Sequence, residues 1–345
     1  MIKFFSGKKI GTVILSMMIP LVLMACGNLE SSENDDMGDT TLQLSIGHNL
    51  NESHTAHLAI MSFVEKVEER TDGQVKFNVF PNAQLGSETA MLEQLQAGVL
   101  DMVRVASPGM ANYYDAYHAF GLPFLFNDQD HFYRVMDSPE MGEFFRSTAD
   151  EEGFVTLTYY TSGQRSFYTA NQPVRSPEDL NGLNIRVQDM RSQTDMIRAM
   201  GGTPVAMAFG DVYTALQTGM IDGSENNETA LTEGQHGEVA KVYSYTEHAM
   251  IPDVLVMSAA TWDQISEENR EIILNAAEES TEEHKEMWEE AVQAAIEVAE
   301  NEMGVTFITD VDKESFREAT EHIIQDYIDE YNNVEEVVNI IQNIN

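Results

Sequence analysis

Residues 182–188 read Gly-Leu-Asn-Ile-Arg-Val-Gln, GLNIRVQ, a turn glycine feeding a short alternating strand. Leu183, Ile185 and Val187 share one face, and Asn184, Arg186 and Gln188 share the other. Downstream the pattern changes period. Helical spacing runs from Gln193 to Met200 and stops at Gly201 and Gly202, a short strand follows at PVAMA, and a second helix runs through DVYTALQTG. Upstream the same alternation has already occurred once. TLQLSIGHN alternates as a strand, and Leu58, Met61, Phe63, Val64 and Val67 mark a helix closed by Gly73. QVKFNVFP is a second strand, and ETAMLEQLQAGVLDMVRV a helix running into a third. Strands alternating with helices predict an α/β fold with largely parallel sheets. Two such blocks predict two lobes with a cleft between them. The intervening stretch from Tyr113 to Glu152 reads as mostly helical, with LPFLF as a buried turn, and a helical pattern of nearly forty residues, 266–304, is long enough to brace both lobes.

The chain has 345 residues, 43% of them hydrophobic, enough for two cores. Lys plus Arg number 19 against 58 Asp plus Glu, a formal charge of −39. So acidic a surface excludes nucleic acid and anionic membrane surfaces as partners. In such a chain each buried arginine carries information.

The first 25 residues have the layout of a lipoprotein signal peptide: Lys3, Lys8 and Lys9 precede an apolar run from Ile10 to Ala25. That run is interrupted by Pro20 and is shorter than the roughly 20 residues a membrane span needs. It ends in Leu23, Met24, Ala25 and Cys26, similar to the lipobox of bacterial lipoproteins, which implies lipidation of Cys26 and an extracytoplasmic protein held at the cell membrane. Cys26 is the single cysteine, so no disulfide can form within the chain. Residues 26–40, polar and acidic, read as a flexible tether.

The chain carries no dinucleotide fingerprint, P-loop, HExxH or GxSxG, and no cysteine nucleophile in its body, so neither a cofactor nor an enzymatic reaction is expected. His54 and His57 have a metal-pair spacing, but no metal site is assigned to them. His54 is expected in the first helical turn and His57 partly exposed. Arg165, in YYTSGQRSFYT, and Arg186 fall at the ends of successive strands, which in an α/β lobe open onto one crevice. Two guanidinium groups there would fork a carboxylate, each charge-assisted contact contributing about 1.5–3 kcal/mol. The same spacing would equally suit two surface arginines paired with local acids.

The body resembles the solute-binding proteins of TRAP (tripartite ATP-independent periplasmic) transporters over nearly all of 41–345. The matching strings occur in order: FVEKVEERTDGQVKFNVFPNAQLGSE, LEQLQAGVLDM, GLPFLF, SPEDLNGLNIRV and VYTALQTGMIDGSENN. The resemblance implies a two-lobed periplasmic-binding-protein-like fold of type II kind, with hinge strands joining the lobes and a long helix crossing both. It places residues 41–162 plus 252–291 in lobe I and 163–251 plus 292–345 in lobe II. It also implies a monomer that traps a carboxylate-bearing small molecule and hands it to small and large integral-membrane subunits.

By the same resemblance Arg186 holds the ligand's carboxylate, Arg165 lies near it, and Asn226 completes the anion site. Asn49 and Phe209 line the pocket, Phe209 against the ligand's apolar face. His48, Glu88, Ser107, Gln188 and Asn227 join the list as residues at strand or helix ends facing the same cleft. Sialic-acid members carry an ESAR string where this chain has Ala106, Ser107, Pro108 and Gly109, which argues against that ligand. VRVASPG, GQRSFYT and SENN look like the branch that binds hexuronates such as D-glucuronate and D-galacturonate. C4-dicarboxylates are the alternative ligand class. A tethered hydrolase and a ligand-presenting sensor are the alternative functions.

Overall fold

The computed structural model describes residues 41–147 and 153–344; the leader, the tether and Cys26 lie outside the described residues. The strands are β1 (Leu42–Gly47), β2 (Val75–Phe80), β3 (Met102–Ala106), β4 (Phe154–Tyr160), β5 (Gln164–Thr169), β6 (Asn184–Val187), β7 (Thr203–Ala206), β8 (Gly223–Asn226), β9 (Val242–Met250), β10 (Asp253–Ser258) and β11 (Thr306–Ile308). The helices are α1 (Thr55–Arg70), α2 (Glu88–Gln96), α3 (Gln129–Met136), α4 (Pro139–Ser147), α5 (Arg191–Ala199), α6 (Val212–Thr218), α7 (Thr229–Glu233), α8 (Ala259–Trp262), α9 (Glu267–Asn301), α10 (Lys313–Glu330) and α11 (Val334–Asn343). Among the described residues no helix is long and apolar enough to cross a membrane.

The strands form two sheets, ordered β2-β1-β3-β10-β4 and β11-β9-β5-β8-β6-β7. This is the two-lobed α/β architecture, and each sheet is largely parallel, with one reversed strand. In the first, β1 runs parallel to β2 and β3, while β10 is antiparallel to β3 and β4. In the second, β6 is parallel to β7 and β8, but β5 is antiparallel to β8 and β9. The reversed strands are those next to the points where the chain changes sheets, after β4 and after β9. A strand arriving from the other sheet has no crossover helix behind it to impose parallel pairing.

Matching sequence makes matching joints in the two lobes. LQAGVLD (95–101) and LQTGMID (216–222) each end a helix and lead into a strand. The closing aspartates then tie that strand to a neighbour: Asp101 accepts from Ser45 N at 2.8 Å, and Asp222 from Asn184 N at 2.8 Å.

Two short backbone crossings and α9 join the sheets. The crossings are strapped together by Ser162 Oγ, which donates to Ile251 O at 2.6 Å. Helix α9 starts at Ser266, whose side chain caps Asn269 N, and runs unbroken for 35 residues. Ile273, Ala276 and Ala277 near its start enter the core of Ile60, Phe63 and Leu255, and Ala299 near its end enters that of Tyr168, Leu216 and Tyr243. Burying a side chain the size of Ile273 contributes about 2 kcal/mol, so the brace is fastened at both ends. Helix α11 packs against α4 and the 3-10 segment Asp115–Gly121, on the first lobe's side. Its apolar face of Val334, Val337, Val338 and Ile341 joins the cluster that holds Tyr117, Phe120 and Phe144.

Gly163, at the first crossing, has φ +63, and a Cβ on it would lie 3.0 Å from Trp288 Cζ2 on α9. Gly163→Ala should therefore destabilise the fold by about 1–2 kcal/mol, through left-handed strain and displacement of the indole. Urea unfolding checks this, and a variant as stable as the parent would show that the crossing tolerates a side chain.

Candidate functional site

Strands β1, β3, β6 and β8 all end at a cavity of about 470 Å³ between the two sheets. The carboxyl ends of parallel strands are where an α/β sheet leaves a crevice. Arg186 is on β6, and the alternation in NIRV turns Ile185 and Val187 into the core while Arg186 and Gln188 line the cavity. The strand beside β6 is β8, not β5. The strand carrying Asn226 thus lies between those carrying the two arginines.

The two arginines are buried alike and paired differently. Arg165, 3% exposed, is held by Glu225, which is fully buried: Nε reaches Oε2 at 2.6 Å and Nη2 reaches Oε1 at 2.8 Å. Its Nη1 donates to Asn226 Oδ1 at 2.9 Å. Asn227 N donates to the same oxygen at 2.9 Å, so the Asn226 amide nitrogen is left as a donor beside the cavity. His248 Nε2 lies 3.5 Å from Glu225. Burial alone would raise the Glu225 carboxyl, but the charge and hydrogen bonds of Arg165, helped by His248, hold it at about 2. Most of the expected fork at Arg165 is thus taken up within the protein.

Arg186 is 2% exposed, and its Nε and Nη2 donate only to the Met207 carbonyl, at 3.1 and 2.8 Å. Among the described residues no carboxylate pairs with it. Burial pulls its pKa below the usual arginine value, yet a guanidinium keeps its proton in a protein. A buried cation without a carboxylate partner beside a cavity has the chemistry to hold an anion.

The opposite wall has the opposite sign. Arg104 on β3 donates through Nη1 to Asn49 Oδ1 and Glu88 Oε1, both at 3.0 Å, and through Nη2 to Asp253. One guanidinium thus serves two carboxylates, leaving this wall one negative charge in excess. Burial lowers the Arg104 pKa to about 10, with the Glu88 charge working against that shift. Asn49 Oδ1 is committed to Arg104, so its amide nitrogen remains to donate. Gln188 lines the cavity with its Oε1 buried and unpartnered among the described residues. These groups offer acceptors and donors suited to hydroxyls.

Of the ten ligand-site candidates, the cavity wall contains Arg186, Arg165, Asn226, Asn227, Asn49, Phe209, Glu88 and Gln188. Phe209 packs its ring 5.1 Å from that of His236, also on the wall. Burial, with Arg186 nearby, lowers the His236 pKa to about 3, so it stays neutral. His48 and Ser107 are not on the wall. His48 is turned into the first lobe, with Nδ1 accepting from Leu50 N and Nε2 at 3.0 Å from His57 Nδ1. Ser107 is fully buried at the start of a 3-10 turn. His54 caps α1 rather than sitting in its first turn, and His57 is buried rather than partly exposed. Sequence reading passed over Arg104, Asp253, Asn51, Glu233 and His236. Arg104 had left a trace, because a charge inside the apolar run MVRVA must be paired or functional.

This geometry has counterparts among known proteins. Residues 46–330 match the model of the DctP family, bacterial extracellular solute-binding protein, family 7. A solute-binding protein of Chromohalobacter salexigens is 37% identical over 82% of this chain and 84% of its own length. A TRAP periplasmic solute-binding protein from Anaerococcus prevotii, solved with bound α/β-D-glucuronate, superposes with a TM-score of 0.84 at 36% identity, covering 88% of this chain and 98% of that one. Another from Xanthobacter autotrophicus, solved with β-D-galacturonate, gives 0.84 at 32% identity over 88% and 100%. The chain belongs to the DctP family of extracellular solute-binding proteins that serve TRAP transporters.

Proposed function

We propose that this protein captures a hexuronate, D-glucuronate or D-galacturonate, by closing its two lobes over the sugar. The carrying observation is the polarity of the cavity. Arg186 is a buried cation without a carboxylate on one wall, and Arg104 is outnumbered by Glu88 and Asp253 on the other. A molecule with one carboxylate and a row of hydroxyls satisfies both walls: Arg186, Arg165 Nη1 and the Asn226 amide take the anion, while Glu88, Asp253, Gln188 and Asn49 take the hydroxyls. A C4-dicarboxylate would press its second charge against the acidic wall, at a cost its smaller contact area does not offset. The uronates bound by the two structural relatives support the same reading.

The captured acid would pass to the membrane subunits of a TRAP transporter. The lipobox-like end of the leader supports Cys26 as the lipidated residue, with 26–40 as its tether and the body acting as a monomer outside the cytoplasm.

Thermal denaturation tests the ligand. At a concentration 100 times Kd, a ligand specific to the folded state adds about 2.7 kcal/mol of stability, which at this size raises Tm by several degrees. D-Glucuronate and D-galacturonate should do so, and succinate, malate and D-glucose should not. A larger shift with succinate or malate than with either uronate would overturn the assignment.

A further inference from the structure

We propose that Asn51 and Glu233, with Ser53 beside them, latch the two lobes across the cavity and set how long a captured ligand stays. Asn51 follows β1 in the first lobe, and Glu233 ends α7 in the second. Asn51 Oδ1 accepts from Ser53 N at 2.9 Å, Ser53 Oγ at 2.7 Å and His54 N at 3.0 Å. Three donors on that oxygen fix the amide orientation and turn Nδ2 the other way. There it donates to Glu233 Oε2, with Ser53 Oγ 3.2 Å from the same oxygen. Glu233 has no cationic partner among the described residues, so this contact is what holds its carboxylate.

Both residues line the cavity and are half-buried, whereas Arg186 and Arg165 at the anion corner are 2% and 3% exposed. Helix α7 packs against α9, so Glu233 is carried on the second lobe's side of the brace. Asn51 lies in the turn that leads into α1, which also packs against α9. The contact therefore closes a loop through the brace and must break for the lobes to part. Because the latch joins protein to protein, it should slow escape of every ligand equally without choosing among them. The proposal rests on capture by lobe closure, and not on which acid is captured.

A donor–acceptor swap in the full chain tests it. Asn51→Asp keeps the oxygen that organises the start of α1 but sets a carboxylate against Glu233. Amide exchange should then rise in 49–53 and 229–236, and the dissociation rates of D-glucuronate and D-galacturonate should rise by a common factor of about tenfold, with association rates nearly unchanged. Adding Glu233→Gln supplies a donor from the other side and should bring both readouts back to within about threefold of the parent. A double variant no better than the single overturns the latch. So does a single variant that shifts the ratio of the two uronate affinities, since Asn51 or Glu233 would then be reading the sugar. If the parent binds neither uronate, the ligand assignment fails, and the exchange data alone decide the latch.

Discussion

Arg186→Ala is expected to bind D-glucuronate at least about thirtyfold more weakly than the parent, while the ligand-free variant melts no lower. Losing one partner of a buried, hydrogen-bonded charge pair costs about 2–5 kcal/mol of binding, and here the other partner is the ligand's carboxylate. In the ligand-free protein the balance is reversed. Arg186 is 2% exposed and meets only the Met207 carbonyl, so removing it removes an uncompensated buried charge rather than breaking a pair. The two readouts therefore move apart: calorimetric titration shows the loss, and a ligand-free melt shows stability kept or gained. Arg186→Lys should fall between, since an ammonium keeps the charge but cannot give two parallel bonds. Near-parent affinity in the alanine variant would remove Arg186 from the site. A large fall in ligand-free Tm would instead give it a structural partner.

That split explains what the sequence could and could not reveal. The period-2 pattern of GLNIRVQ was enough to put Ile185 and Val187 in the core and Arg186 on the other face, because strand alternation is local. Helix ends at Gly73 and Gly201 were legible for the same reason. Which strands lie side by side is not local. Arg165 and Arg186 looked adjacent in order, and β8 comes between them because it pairs with both β5 and β6. Nor can spacing distinguish an arginine already satisfied from one left open. Arg165 finds Glu225 sixty residues away, and Arg104 finds Asp253 149 residues away. His48 misled for a related reason: strand ends face the cleft, but at the last turn of β1 the side chain that reaches it is that of Asn49. On the acidic wall the sequence pointed to Glu88 and Asn49, while the Arg104–Asp253 pair beside them is assembled only in the folded chain.

Glu225→Ala should destabilise the protein by about 3–5 kcal/mol and lower Tm on the order of 10 °C, because it leaves Arg165 buried with its Nε unpaired. No solvent can take over, since Glu225 is fully buried and Arg165 is 3% exposed. The same pair leaves a signature in acid. With the carboxyl held at about 2 against its ordinary 4.5, the unfolded chain binds the extra proton first. The pair's stabilisation is then whole above pH 4.5 and drains away as pH falls toward 2. It amounts to about 3 kcal/mol by linkage. Glu225→Gln removes the titrating group while keeping its size, so its stability should fall less steeply than the parent's below pH 4.5, although it begins lower. Urea unfolding at pH 7 and at steps between 5 and 3.5 checks both parts. A Glu225→Ala variant within about 1 kcal/mol of the parent would mean that Arg165 can find another partner.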